Sequence, residues 1–388
     1  MIMKVAYLGK IQLSDVDLSY LHHAQQLADV TFILEVTPRY MRGPAFNIKH
    51  ICTKSGLFKA VEAYPEFEKY KDFIDINRFY VLNTCGRFWQ LKAFWTNLLL
   101  LKFLWQNKFD VIHWAWPPNI YEFCTYMLRR KMILTVHDPF PHTAHDSFIV
   151  RLRRKAAFRF IPKLILLNKA QRNDFISHYH IAPSRIIDSK LSSYTYLRCV
   201  CPDESTVPKH PYILFVGRIS PYKGLEYLLP AMKRVHEACP DCHLIVAGSG
   251  KYHFDIAEYQ KLSYIDIRNR FIPDEEMVAL IRHTAFMICP YTDATQSGVV
   301  MSAYAFCTPV IATNVGGLPE MVEHERNGLI VPEKDAERLA DSIISLWQHP
   351  ELEATFSKHI EDSYSTGSLS WQHIAEQLNK EYQHIISH

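Results

Sequence analysis

Along the second half of the chain, apolar residues gather in short unbroken runs, separated by longer stretches in which they recur at helical spacing. Runs at 212–216, 243–247, 286–289, 310–312 and 329–331 predict strands buried on both faces, because a strand with one wet face alternates apolar and polar positions. The first half repeats the rhythm. Residues 5–8, 30–36, 111–113, 132–136 and 164–167 read as strands, with helices over 18–27, 88–106 and 120–128. Such alternation builds a parallel sheet with helices on both faces and right-handed crossovers. The predicted fold class is therefore α/β, with two doubly wound, Rossmann-like domains facing each other across a cleft. Residues 38–80 lack clear periodicity and read as an irregular insertion beside that cleft. Periodicity lapses again around Pro202, Pro208 and Pro211, which predicts a linker over 196–210 between domains at 1–195 and 211–365. The end of the chain, 366–388, carries Trp371, Ile374, Leu378, Tyr382 and Ile385 near helical spacing. Such a helix needs a surface to cover, and packing back toward the first domain supplies one.

Composition narrows the class. A length of 388 residues exceeds what one core usually serves, and 48% apolar with 21% charged residues fits a folded chain rather than a disordered one. A net charge of +3 makes no demand for nucleic acid, although Arg129-Arg130-Lys131 and Arg151-Leu152-Arg153-Arg154-Lys155 are locally basic. The nine cysteines include one lone C-x-x-C at Cys239 and Cys242, with no second pair or histidine cluster to complete a zinc site. They read as reduced thiols at a helix-to-strand turn. The amino terminus reads as a first core strand rather than a signal peptide, and Lys102 interrupts the longest apolar run, 98–105, far short of the roughly 20 residues of a membrane span. These features predict a cytoplasmic protein.

The densest chemistry lies between Tyr212 and Gly250. A buried strand ends at Val216, Gly217-Arg218 follows, and Lys223-Gly224 opens a helix after four more residues; the next strand ends at Gly248-Ser249-Gly250. Loops at the carboxyl ends of strands in an open α/β sheet border the ligand crevice, so Arg218 and Lys223 converge on it. A forked guanidinium and a mobile ammonium suit a diphosphate whose charge grows as a leaving group departs. Two solvated surface cations are the alternative, and the position between strand and helix beside a glycine favours the phosphate role.

Together with Cys307-Thr308-Pro309-Val310-Ile311-Ala312-Thr313 and Gly316-Gly317-Leu318-Pro319-Glu320, these motifs resemble the retaining GT-B glycosyltransferases of the family 4, or group 1, type. The resemblance is firm over 211–348 and extends loosely through Thr135-Val136-His137-Asp138 and the Trp371 helix. It implies a nucleotide-sugar donor, such as a UDP- or GDP-sugar, held by the second domain. It implies no cofactor and no metal, since basic side chains and a helix amino terminus take the diphosphate. His137, Arg218 and Lys223 are the implied catalytic residues. Gly217, Gly248, Asp293, Gln296, Ser297, Gly298, Val299, Ser302 and Glu320 are the implied donor-binding set.

The chain departs from the family at one place. The family's two glutamates, with seven residues between them, fall at Ala294 and Ser302. The later glutamate resembles a ribose-binding acid, a role in which a serine accepts only weakly. Asp293, one position early, is the candidate substitute for the first. Gln296-Ser297-Gly298 ahead of Val299 can present N–H groups and a hydroxyl to phosphate or sugar oxygens, or form a simple serine N-cap; both can hold together. Glu320 either contacts the donor or only complements a helix dipole.

The acceptor side is less legible. His137 ends a strand and so points into the cleft, with His142 and His145 as candidate helpers in the next loop. His113 ends another strand before Trp114, Trp116 and Pro117, aromatics that either stack on a sugar or close the core. From 88 to 108 the chain is apolar nearly all round, with Trp89, Trp95 and Trp105 among Lys92, Lys102 and Lys108. This is either a buried helix or, with the basic clusters, a face for anionic lipid at the inner side of a membrane. The implied function is sugar transfer with retention to a glycan or polyprenyl-linked acceptor in surface polysaccharide synthesis. A non-catalytic sugar- or nucleotide-binding partner, having lost the acids, is the competing class.

Overall fold

The computed structural model describes all residues except 1, 38–40, 42, 47, 49–53, 85–90, 141–146, 168, 170 and 388, and the backbone alone of 91, 92, 120 and 121. The chain divides into two compact units, Met1–Leu191 with Trp371–His388, and Ser192–Ser370.

The first unit contains β1 (Lys4–Lys10), β2 (Asp29–Val36), β3 (Gly56–Lys59), β4 (Phe79–Asn83), β5 (Val111–Trp114), β6 (Met132–Val136), β7 (Lys163–Leu166) and β8 (Ile186–Asp188). They form one sheet in the order β3-β4-β2-β1-β5-β6-β7-β8, parallel except for the antiparallel β3–β4 pair. Helices α1 (Ser14–Leu27), α2 (Ala60–Ala63), α3 (Leu91–Gln106), α4 (Phe148–Phe160) and α5 (Arg172–Tyr179) connect the strands, with a 3-10 stretch at Ile120–Lys131. Ala6, Leu8, Ile112, Leu134 and Leu164 from the sheet and Leu100, Leu104 and Phe158 from the helices share one buried core.

The second unit is wound the same way. Its strands, β9 (Tyr212–Val216), β10 (His243–Gly248), β11 (Ile265–Asn269), β12 (Met287–Cys289), β13 (Val310–Thr313) and β14 (Gly328–Val331), pair in the parallel order β11-β10-β9-β12-β13-β14. Its helices are α6 (Leu225–Ala238), α7 (Asp274–His283), α8 (Gly298–Tyr304), α9 (Leu318–Met321), α10 (Ala336–Gln348) and α11 (Pro350–Glu361). The last helix, α12 (Trp371–Ile386), buries Trp371, Ile374, Leu378 and Tyr382 within the first unit, where Trp371 meets Tyr20 of α1 edge-on at 6.2 Å.

Two expectations are corrected, and two strands are added. Residues 38–80 do not form a wholly irregular insertion, because they contribute β3 and start β4. Phe79 stacks on Phe32 of β2 at 4.7 Å and on Phe67 at 5.0 Å, so tertiary aromatic packing rather than local periodicity organises the segment. Residues 196–210 are not a free linker. They wrap the second unit in 3-10 turns at Thr195–Cys199 and Glu204–Thr206, held where Arg198 Nε donates to the Ala305 carbonyl at 2.6 Å and Asp203 N to that of Glu275 at 2.9 Å. The units therefore divide at 191/192 and 370/371. Finally, β8 and β11 went unpredicted because they are short edge strands whose residues are partly exposed.

Cys239 and Cys242 are free and buried, at the end of α6 and just ahead of β10. Among the described residues, no helix is long and apolar enough to cross a membrane.

Candidate functional site

In the second unit the strand order reverses at β9, flanked by β10 on one side and β12 on the other. Crevices for ligands open at the carboxyl ends of strands at such reversals. Backbone hydrogen bonds lace the loops there into one surface. Gly217 N donates to Ala247 O at 3.0 Å, Ile219 N to Ser249 O at 3.0 Å, Thr292 N to Tyr222 O at 2.8 Å and Gly317 N to Ala294 O at 3.2 Å. Two glycines make this closeness feasible. A Cβ on Gly248 would lie 1.8 Å from the Gly217 carbonyl oxygen, and one on Gly224, with φ +66°, would lie 1.8 Å from that of Pro290.

Lys223 ends the 3-10 turn Pro221–Lys223 and is buried. Its Nζ lies 3.6 Å from the centroid of the Tyr291 ring and 5.1 Å from that of Tyr222. Burial pushes the ammonium down to about 8; the Arg218 charge adds to the fall and Cys289 opposes it. Arg218 itself is exposed, without a hydrogen-bond or ion-pair partner among the described residues. One cation held in an aromatic cradle beside one in solvent is an arrangement that an anion would relieve.

Ser297 caps α8. Its buried hydroxyl accepts from Val300 N at 3.4 Å and faces the Tyr291 hydroxyl at 3.4 Å, with Gly298 and Val299 in the first turn and Val299 beside Gly217. Asp293 is exposed and Gln296 half-buried on the loop after β12, while Glu320 is exposed on α9. Ser302 donates its hydroxyl to Gly298 O at 2.9 Å, one turn back in its own helix. The structure thus gathers Gly217, Arg218, Lys223, Gly248, Asp293, Gln296, Ser297, Gly298, Val299 and Glu320 at one end of one sheet, with Ser302 turned back into α8.

In the first unit the order reverses at β1, between β2 and β5. His137 directly follows β6 and is buried, and desolvation holds its imidazole down at about 4 against the opposing pull of Asp138. It is therefore neutral at pH 7, able to donate and to accept. Trp116 lies 6.2 Å from it, whereas Trp114 is in the core. His113 is a buried structural hub. Its Nδ1 lies 2.5 Å from the Tyr382 hydroxyl and its Nε2 2.7 Å from Thr135 Oγ1, and Tyr382 meets the Tyr20 hydroxyl at 2.8 Å. His142, His145 and Trp89 lie outside the described residues.

One polar cluster escaped the sequence. At the carboxyl ends of β1 and β2, Lys10 Nζ meets Glu35 Oε2 at 2.9 Å, and Asn119 Nδ2 donates to Glu35 Oε1 at 2.8 Å. Arg153 Nη1 donates to Asn119 Oδ1 at 2.8 Å, and Asn119 N to Glu122 Oε2 at 2.5 Å. Burial, then the nearby Glu35 charge, raise the Glu122 carboxyl well above the usual carboxylate range. The available signal was Asn119-x-x-Glu122, a capping pattern, and charged residues at the ends of apolar runs. Arg153 is thereby half-buried, and Arg154 is buried and donates to the Asp138 carbonyl.

Two family profiles match this chain: "Glycosyl transferases group 1" over residues 210–349 and "Glycosyltransferase Family 4" over 50–187. An uncharacterized glycosyltransferase of Methanocaldococcus jannaschii is 32% identical over 180 residues, 44% of each chain. The chain spans about half the length of curated relatives of this kind, from 44% to 53%. Among solved structures, sucrose-phosphate synthase from Thermosynechococcus elongatus aligns with a TM-score of 0.68 at 17% identity, covering 99% of both chains. Anabaena HepE, solved in complex with UDP, aligns with a TM-score of 0.68 at 16% identity, covering 98% of this chain and 100% of its own. Both halves of the chain are matched by profiles of one enzyme family, and both fold as Rossmann-like units: the chain belongs to the group 1, family 4 glycosyltransferases of GT-B architecture.

Proposed function

We propose that this protein transfers a sugar from a nucleotide-sugar donor to a glycan or polyprenyl-linked acceptor, with retention and without a metal, in surface polysaccharide assembly at the inner face of a membrane. The observation that carries the reading is the pairing of buried Lys223 with exposed Arg218 at the strand-order reversal of the second sheet. Solved neighbours named as complexes with UDP and with UDP-glucose support a nucleotide sugar as donor.

In this reading the bond from the anomeric carbon to the diphosphate oxygen breaks first, with its electron pair leaving on the diphosphate. Lys223 and Arg218 stabilise that growing charge, alongside the N–H groups that open α8. The acceptor oxygen attacks the oxocarbenium-like carbon from the face the diphosphate leaves, and its proton passes to the departing phosphate oxygen. His137, neutral at the carboxyl end of β6 in the first unit, is able to donate to or accept from a sugar hydroxyl. The basic side chains and amides carry the neutralisation that a metal would otherwise supply.

Ala294 and Ser302, where the family has acids, favour a second reading: a nucleotide- or sugar-binding partner without transfer activity. Thermal stabilisation by UDP, GDP, CDP and ADP, followed by mass spectrometry of products from the matching nucleotide sugars, separates the two. Selective stabilisation with product formation supports transfer, whereas stabilisation without product, acceptor supplied, supports the binding partner. No stabilisation by any nucleotide overturns the donor site.

A further inference from the structure

Fifteen large hydrophobic side chains are exposed among the described residues, and ten of them fall on three elements of the first unit: α3, the 120–131 stretch and α4. These elements are neighbours, since α3 packs on 120–131 and 120–131 on α4, where Tyr126 and Phe160 approach to 5.9 Å. The exposure is extensive. Trp105 is 74% exposed, Met127 79% and Phe148 73%, with Trp95 and Leu152 also in solvent. Helix α3 is informative by its two faces: Ala93, Thr96, Asn97, Leu100 and Leu104 are buried, while Trp95, Leu99 and Trp105 on the other side are exposed around Lys102.

The charge on the same elements has one sign. Among the described residues seven exposed cations lie on them, including Lys102, Arg130, Arg151, Lys155 and Arg159, and their single acid, Glu122, is buried. Aromatic and aliphatic side chains interleaved with long basic ones match a bilayer interface, where rings sit at headgroup depth while ammonium and guanidinium groups meet lipid phosphates. A second copy of the chain fits less well. A two-fold interface sets a patch against itself, which would bring cations onto cations with no acid on these elements to offset them.

We infer that α3, residues 120–131 and α4 form a docking face for an anionic lipid bilayer. The inference deepens the proposed function by naming how the enzyme reaches a lipid-linked acceptor, and only that link to the acceptor rests on the reading above. Docking itself needs neither donor nor turnover.

The full chain is sedimented, without nucleotide, with vesicles of phosphatidylcholine alone or mixed with phosphatidylglycerol. Wild-type protein is expected to pellet with the anionic vesicles, less so as salt rises, and to remain in solution with the neutral ones. Two variants dissect the face: Arg151→Glu/Lys155→Glu/Arg159→Glu and Trp95→Ser/Trp105→Ser/Met127→Ser. Each is expected to reduce anionic-vesicle binding by about tenfold or more while melting near the wild-type temperature, because all six side chains are exposed. Absence of vesicle binding by wild-type protein overturns the inference, as does unchanged binding by both folded variants. Concentration-dependent self-association abolished by the apolar variant, with no vesicle binding, assigns the face to a second copy instead. Nucleotide stabilisation is measured on the same preparations, so a missing docking face is distinguishable from a missing donor site.

Discussion

The Lys223 ammonium rests 3.6 Å from the centroid of the Tyr291 ring, an aromatic contact that holds a buried cation on the loop after β9. Tyr291 follows β12, so the contact ties together the two strands at which the sheet order reverses. Replacing Lys223 with methionine, which keeps the volume but not the charge, is expected to lower transfer roughly 100- to 1,000-fold with the fold intact. Steady-state rates and far-UV circular dichroism check this; a wild-type rate would remove Lys223 from the mechanism.

The same burial predicts a pH signature. Because the folded-state value of Lys223 is depressed to about 8 from an unfolded 10.5, the unfolded chain binds more protons in that window, and stability should rise with pH across it. A bound diphosphate favours the charged form and raises the value again. Nucleotide binding above pH 8 should therefore take up a proton and weaken as pH increases. Calorimetry in buffers of different ionisation enthalpy reads the uptake, and Lys223→Met should abolish it.

Gly248→Ala tests the lacing of the loops. The new Cβ would meet the Gly217 carbonyl oxygen at 1.8 Å, so the loop bearing Arg218 must shift. A destabilisation of about 1–3 kcal/mol is expected, with a larger proportional loss of nucleotide affinity. Thermal melts with and without nucleotide measure both.

Ser302 returns its hydroxyl to Gly298 O, so it gives a ribose little to hold. Ser302→Ala should change stability by less than about 1 kcal/mol. Ser302→Glu, restoring the family's acid, should tighten binding of the preferred nucleoside diphosphate in isothermal titration. Weaker binding would show a pocket shaped around serine.

Tyr382→Phe removes the hydroxyl shared by His113 and Tyr20. Leaving those buried groups without it should cost about 1–3 kcal/mol in chemical denaturation. Glu122→Gln tests the neighbouring cluster. The raised folded-state value of Glu122 means that the folded state binds more protons than the unfolded one, so its contribution to stability is present in acid and lost as pH rises toward neutrality. The glutamine variant should flatten that decline.

Much of the second unit's scaffold was legible in the residues. Unbroken apolar runs named β6 and β9 residue for residue, and the glycine and lysine spacing after β9 located the strand end where the second sheet reverses. That follows from physics local to the chain, since strands buried on both faces must be continuously apolar and tight loops must carry glycine. The stripe of Trp371, Leu378 and Tyr382 likewise announced a helix in need of a surface.

Tertiary structure alone decided what partners do to side chains. Whether His113 is a ligand group or a hub depended on Tyr382, which lies 269 residues away. Whether Arg154 is surface charge or internal strut depended on the Asp138 carbonyl. The strands β3 and β4 depended on aromatic packing against β2, and residues 196–210 on the surface of the second unit. Periodicity records which positions avoid water, but which distant group satisfies a buried donor or cation is fixed only when the chain closes on itself.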